Sequence, residues 1–239
     1  MALDFSGKAA LVAGGTGGLG RAVSLAFLES GAQVAVTWRH EKEFLTLKDA
    51  VGEGANRLAG FDVDVTDTRQ TADLANQILS KWSRLDVLVN TVGGYAGGIP
   101  LWELPPEIFE SMVSLNLRAC YALAKAAVPV LIARKSGAIV NVAAKAAWDH
   151  AAGASAYAAT KAAAVALMDS LAADLMGSGV RANSILPSII DTAANRAAMP
   201  SADFAKWPKP EDIARAVLFL SSDEARVIHG ASIPVFGNA

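Results

Sequence analysis

Residues 8–31 leave the chain few choices of fold. KAALVA (8–13) is a short apolar run, and Gly14-Gly15-Thr16-Gly17-Gly18-Leu19-Gly20 follows at once. Residues 21–30 then carry the amphipathic spacing of a helix, which Gly31 closes. Strand, glycine turn and helix in that order make an anion cradle: glycines let the backbone approach a pyrophosphate, and the helix start offers N–H groups and a positive dipole end. Gly14, Gly18 and Gly20 follow a G-x-x-x-G-x-G spacing in place of G-x-G-x-x-G. Thr16 and Leu19 lie inside the turn and join the glycines as candidates to face a dinucleotide.

The same alternation continues along the chain. Strands are expected at 33–38, 57–63, 85–90, 137–142, 180–186 and 231–235. Helices are expected at 68–82, capped by Thr66 or Asp67, from Pro105-Pro106 to about 134, from a cap at Ser155 to about 176, and at 210–221. This pattern implies one α/β domain over 1–239, a Rossmann-like doubly wound parallel sheet with helices on both faces. The second strand ends at Trp38-Arg39 with no acid in place, which favours NADP(H) through Arg39 and a 2′-phosphate and leaves NAD(H) open; Glu41 and Glu43 temper this. Gly93, Gly94, Gly97 and Gly98 after the fourth strand imply close approach of backbone and ligand. Residues 188–208 have no clear period and suit a substrate lid.

Tyr157 and Lys161 stand four apart on an expected helix and so share a face. A cation near a phenol favours the phenolate, and a tuned phenol moves a proton in step with a hydride. Asn116 sits in mid-helix, where Asn usually serves another purpose.

Charge and composition remove other classes. A formal net charge of -2 and a pI near 5.9 give no nucleic-acid footprint. The single Cys120 fits a reducing cytoplasm, and MALDFSGKAALVAGG, with Asp4, does not read as a signal peptide. No apolar run is expected to cross a membrane. Mean hydropathy of +0.33 fits a sheet buried on both faces and helices that bury a face between subunits. No His/Cys/Asp cluster has metal-ligand spacing, so no metal is expected.

On these residues the chain resembles the short-chain dehydrogenases/reductases over nearly its full length. The resemblance implies that Gly14, Gly18 and Gly20 hold a dinucleotide, that Asp64 and Val65 contact adenine, and that Asn90 and Gly93 line the site. It implies that Pro187, Ile190 and Thr192 hold the nicotinamide, and that Asn116, Tyr157 and Lys161 are catalytic. Tyr157 would give the proton, Lys161 would hold the ribose and lower the Tyr157 pKa, and Asn116 would bind a water linking Lys161 to solvent. Members of the family form dimers and tetramers, so a homodimer or homotetramer is implied. The family's usual Ser is Ala144 here, and losing one such donor costs on the order of 10²–10³ in rate.

A narrower resemblance covers that gap. Ala144-Lys145-Ala146-Ala147, the run Gly93-Gly94-Tyr95-Ala96-Gly97-Gly98, and a lid with Asp191-Thr192, Asn195-Arg196, Met199-Pro200, Ala202-Asp203-Phe204 and Trp207 are similar to dihydropteridine reductases. Those enzymes favour NADH, against the hint from Arg39. The likeness implies hydride transfer to a conjugated ring such as a quinonoid dihydropterin. Tyr95, Ala144, Lys145, Trp148, His150 and Trp207 are its substrate-site candidates, with aromatic rings to stack on a flat small molecule. The alternatives are a carbonyl reductase of 3-oxoacyl thioesters or small ketones, and a dinucleotide-binding sensor without catalysis.

Overall fold

The strand order is β3-β2-β1-β4-β5-β6-β7, and every neighbouring pair is parallel. The strands are β1 (Ala9–Ala13), β2 (Gln33–Trp38), β3 (Leu58–Asp62), β4 (Val87–Asn90), β5 (Gly137–Val142), β6 (Val180–Pro187) and β7 (Ser232–Val235). The structure is a computed structural model that describes residues 3–238. Eight α-helices join the strands: α1 (Gly18–Glu29), α2 (Glu41–Val51), α3 (Thr68–Trp82), α4 (Pro106–Met112), α5 (Ala119–Arg134), α6 (Ser155–Asp174), α7 (Ala193–Ala198) and α8 (Pro210–Ser221).

Alternation along each strand divides the core. In β1, Ala10 and Val12 pack with Val23 and Phe27 of α1 and Val217 of α8, whereas Leu11 and Ala13 pack with Ile78 of α3, Leu123 of α5 and Met168 of α6. Apolar layers on both faces account for the high mean hydropathy. The strand order turns back on itself between β1 and β4, and in such sheets that point, at the carboxyl ends of the strands, is where a ligand crevice opens.

Several expectations hold at the level of single groups. The Asp67 carboxylate caps α3, accepting from the Arg69 and Gln70 N–H groups. Gly177 and Gly179 follow α6 with positive φ of 77° and 81°. Others need correction. Ser155 does not cap α6: it is the first helical residue, after Ala154, and no side chain caps this end. The 188–208 segment is not wholly irregular, since Thr192 Oγ1 accepts from Asn195 N at 3.2 Å and starts α7, and a 3₁₀ turn covers Phe204–Lys206. Helix α2 lacked a strong sequence pattern because it buries only Leu47. The helix from Pro106 to Arg134 is also long and apolar enough to span a bilayer, contrary to expectation. Here it is a core helix, with Ala119, Leu123, Ala127 and Leu131 buried against the sheet.

At the amino ends of the strands, Asp86 binds Ala9 N at 2.8 Å, Arg84 at 2.7 and 2.8 Å and Arg134 at 3.3 Å. Burial alone would raise its pKa, but Arg84, the Ala9 N–H and Arg134 together hold it below the ordinary 3.8. The folded pKa is depressed, so this stabilisation is complete above the unfolded value and disappears as pH falls through the folded one. Asp86→Ala is expected to destabilise by on the order of 2–3 kcal/mol at pH 7, less than a fully buried pair because both Arg side chains are about one-third exposed. Urea unfolding at pH 7 and pH 3 checks this; the difference should shrink at the lower pH.

Candidate active site

The crevice at the β1/β4 switch point has a volume of about 810 Å³. Gly14, Thr16, Arg39, Asp64, Val65 and Gly93 line it, as the sequence predicts. Leu19 and Gly20 lie buried beneath the turn. A Cβ on Gly20 would collide with the Gly14 carbonyl oxygen, and one on Gly18 would come within 2.8 Å of Thr192 Cγ2. The glycine turn therefore packs directly on its strand and brings Thr192 to the start of α1. Ile190 follows β6, and Pro187 ends that strand, buried. Asn90 is buried instead of lining the crevice: its Nδ2 donates to Asn141 Oδ1 at 2.9 Å, and its Oδ1 accepts from Val92 N at 3.1 Å. Asp64 Oδ1 accepts from Thr66 N and Oγ1, which shapes the turn below β3.

The crevice has the features a dinucleotide requires. The first turn of α1 holds no acid to compete with an anion. Trp38 lines the crevice, and its buried indole N–H has no partner. Sequence reasoning missed several of the lining residues. Thr37 Oγ1 accepts from Gly14 N at 2.9 Å, and Thr91 Oγ1 donates to Ala13 O at 2.7 Å. The Thr91 hydroxyl thus ties the end of β4 to the residue before the glycine turn. Ser111 and Ser114 line the far wall, on turns of a helix whose partners the chain order does not reveal.

Lys161 is buried, and its Nζ donates to the Val142 carbonyl at 3.1 Å. A Cβ on Gly93 would lie 2.8 Å from that nitrogen and 2.9 Å from Asn116 Oδ1, so Gly93, Asn116 and Lys161 meet at one point. Asn116 sits in a π-helical stretch, Val113–Arg118, between α4 and α5. Such stretches widen the helix by one residue per turn and recur at functional sites. Its Oδ1 accepts from Gly94 N at 2.9 Å, and its Nδ2 donates to Gly94 O and to Thr160 Oγ1, each at 3.1 Å. Asn116 thus grips the loop after β4 through both polar atoms of its side chain.

Tyr157 lies half-buried one turn before Lys161, with its ring edge-on to Tyr95 at 5.0 Å between centroids. Burial pushes the Tyr157 phenol up to about 12, and Tyr95 adds to this. This direction opposes the one expected from the spacing to Lys161, whose ammonium donates to the Val142 carbonyl. Burial also lowers Lys161 to about 8, with Cys120 opposing. Among the substrate candidates, Tyr95 and Trp148 are 71% and 51% exposed. Ala144 is buried; Lys145 lies over the Phe236 ring and 3.7 Å from Asp149; His150 turns Nε2 toward Ala147 O. Trp207 is a correction: it is buried, packed on Phe204, and lines a separate cavity beside α8, with little indole left for a flat ligand.

A switch-point crevice with a glycine turn, joined to a Tyr and a buried Lys on one helix, defines a nicotinamide-dependent oxidoreductase. Residues 8–202 match the short chain dehydrogenase family, and the chain belongs to it. It is similar to 3-oxoacyl-[acyl-carrier-protein] reductase FabG of Thermotoga maritima, with 30% identity over 98% of each chain. It is 33% identical to 2,5-dichloro-2,5-cyclohexadiene-1,4-diol dehydrogenase LinX of Sphingobium indicum, over 99% of this chain and 98% of that one. The solved structure of ElxO with NADP bound superposes with a TM-score of 0.90 at 26% identity, over 96% of this chain and 97% of that one. The relatives are reductases and dehydrogenases of this kind, and the dihydropteridine likeness gains no support from them.

The buried ammonium carries a stability consequence. The folded pKa of Lys161, about 8, lies below the ordinary 10.5. Below pH 8 both states are protonated and the folded chain bears the full penalty of burying a charge; between 8 and 10.5 the folded state releases its proton first and stability rises. Lys161→Met is expected to be more stable than the native protein at pH 6.5, by order of magnitude ~3 kcal/mol, with the difference narrowing by pH 9.5. Denaturant midpoints at the two pH values test the sign.

Proposed function

We propose that this chain is an NADP(H)-dependent reductase of a small electrophilic substrate, with Tyr157 as proton donor. The observation that carries this is that Gly93, in the wall of a dinucleotide-sized crevice, meets buried Lys161 and Asn116, with Tyr157 one turn before Lys161 on the same helix. Arg39 supports the choice of cofactor. It lies exposed at the end of β2 and makes no ion pair among the described residues, whereas Glu43 accepts from Thr16 Oγ1 at 3.0 Å. The nearby acid is thus engaged by the glycine turn and leaves the guanidinium free for a 2′-phosphate.

When bound, the nicotinamide supplies a hydride. The protein's own groups do the rest. Pushed up to about 12, the Tyr157 phenol keeps its proton at neutral pH and can give it to the atom that gains charge. Asn116 fixes the Gly93–Gly94 backbone, and Lys161 holds a cation beneath it. Thr192 packs against Gly18 at the start of α1.

For the substrate we propose a planar conjugated ring, such as a quinonoid dihydropterin. Exposed Tyr95 and Trp148 offer it flat surfaces. A second reading, reduction of 3-oxoacyl thioesters or small ketones, is favoured by the named activity of the FabG relative. The 188–208 segment serves as the lid under either reading. Exposed Phe109, Tyr121 and Ile132 on the 106–134 helix fit a homodimer or homotetramer, and buried, unpaired Cys120 fits the cytoplasm.

Initial rates with NADPH and NADH, on quinonoid dihydropterin, a 3-oxoacyl thioester and small ketones, test this reading. NADPH should be preferred, and Tyr157→Phe should lower kcat by on the order of 10²–10⁴. Fast thioester turnover with idle pterin would select the second reading. Tight NADPH binding with no turnover would remove both and leave a sensor.

A further inference from the structure

Hydride addition places charge on one substrate atom, and a single phenol is a sparse device for receiving it. Sites of this kind aim two or more donors at that atom, each worth on the order of 10²–10³ in rate. Around Tyr157 the usual sources are spent or absent. Ala144 has no donor. Asn116 is engaged by Gly94 and Thr160, Lys145 by Asp149 and the Phe236 ring, and His150 turns Nε2 toward Ala147 O.

Tyr95 differs. Its ring meets the Tyr157 ring edge-on at 5.0 Å with an interplanar angle of 76°. Its hydroxyl makes no hydrogen bond among the described residues, and the side chain is on the open side of the site, 71% exposed. The loop that carries it is held at both ends: Gly94 is gripped by Asn116, and Ile99 N donates to Gly153 O at 3.2 Å on the loop before α6. Gly97 leaves the ring its space, since a Cβ there would collide with the Tyr95 hydroxyl. Tyr95 is thus a phenol without a hydrogen-bond partner among the described residues, on a loop pinned at both ends and in ring contact with the proton donor.

We propose that the Tyr95 hydroxyl is a catalytic hydrogen-bond donor to the substrate atom that gains charge, supplying the contact that Ala144 cannot. This rests on the reductase reading above. With a ketone, hydride adds to the carbonyl carbon, the C=O π pair moves to oxygen, and Tyr157 gives that oxygen its proton. Tyr95 donates a hydrogen bond to the same oxygen and keeps its own proton, so a hydride from NADPH and a proton from Tyr157, two electrons and two hydrogen nuclei in all, pass to the substrate and Tyr95 ends unchanged.

The test compares native protein, Tyr95→Phe, Ala144→Ser and the double variant with NADPH and the substrate panel above. Tyr95→Phe keeps the ring, so stacking and NADPH affinity should persist while kcat falls by on the order of 10²-fold and KM changes little. Adding Ala144→Ser to Tyr95→Phe should restore about tenfold or more, because the new hydroxyl is a donor that position lacks. Native kcat in Tyr95→Phe overturns the proposal and leaves the reductase reading intact. A rise in KM alone also overturns it and makes Tyr95 a stacking surface only. An idle native protein on the whole panel removes the reductase reading, and the proposal with it.

Discussion

A lysine ammonium held out of water, with one carbonyl as its hydrogen-bond partner, sets the terms for everything around it. Lys161 donates to Val142 O at the end of β5 and has no carboxylate partner among the described residues. A charge in that position persists only where the surroundings leave no room for it to move away. Gly93 is part of that restraint: with no side chain, its backbone lies against the ammonium, and any Cβ would displace it. The Gly93–Gly94 strand end is in turn fixed by Asn116, and Asn116 reaches it because the helix widens over Val113–Arg118. A local distortion of one helix thus keeps a cation in place on another.

The sheet turns these local arrangements into a site. Ala13, Asn90, Asn141 and Ser184 are register partners across β1, β4, β5 and β6. Their row lies just inside the carboxyl edge, where apolar packing gives way to polar chemistry. The Asn90–Asn141 bond and the Asn90 contact with Val92 N end β4 where the glycine-rich loop must depart. Asn141 Nδ2 and Ser184 Oγ are buried without partners, so the polar row is not fully satisfied by the protein alone. Buried polar groups of this kind are expensive, and their concentration at one end of the sheet shows where stability gives way to function.

Much of this was legible in the sequence. Strands buried on both faces announce themselves as short apolar runs, so all seven were found within two residues at their ends. The glycine turn and the Tyr157–Lys161 pair were visible because their meaning depends on local spacing. What stayed hidden depends on contacts across the chain. Trp207 reads as a free aromatic in a lid, but Phe204 and the cavity beside α8 bury it. Ser155 has the chemistry of a cap, yet the helix starts on it and leaves it one position too late. Helix Glu41–Val51 buries one side chain and so lacks a periodic signature. The widened helix at Asn116 has no sequence signal beyond the misplaced Asn itself.

The electrostatics of Tyr157 show why spacing is not chemistry. Two residues four apart on a helix share a face, and from that alone the cation should draw the phenol down. The fold separates the effects. Lys161 turns inward to a backbone carbonyl, while Tyr157 lies at the boundary, where desolvation and the neighbouring Tyr95 ring both favour the neutral phenol. The result is an acid that keeps its proton and a lysine pushed down to about 8, close to neutrality. Burial thus moves the two groups in opposite directions, the phenol up and the ammonium down, and their spacing alone gives neither direction.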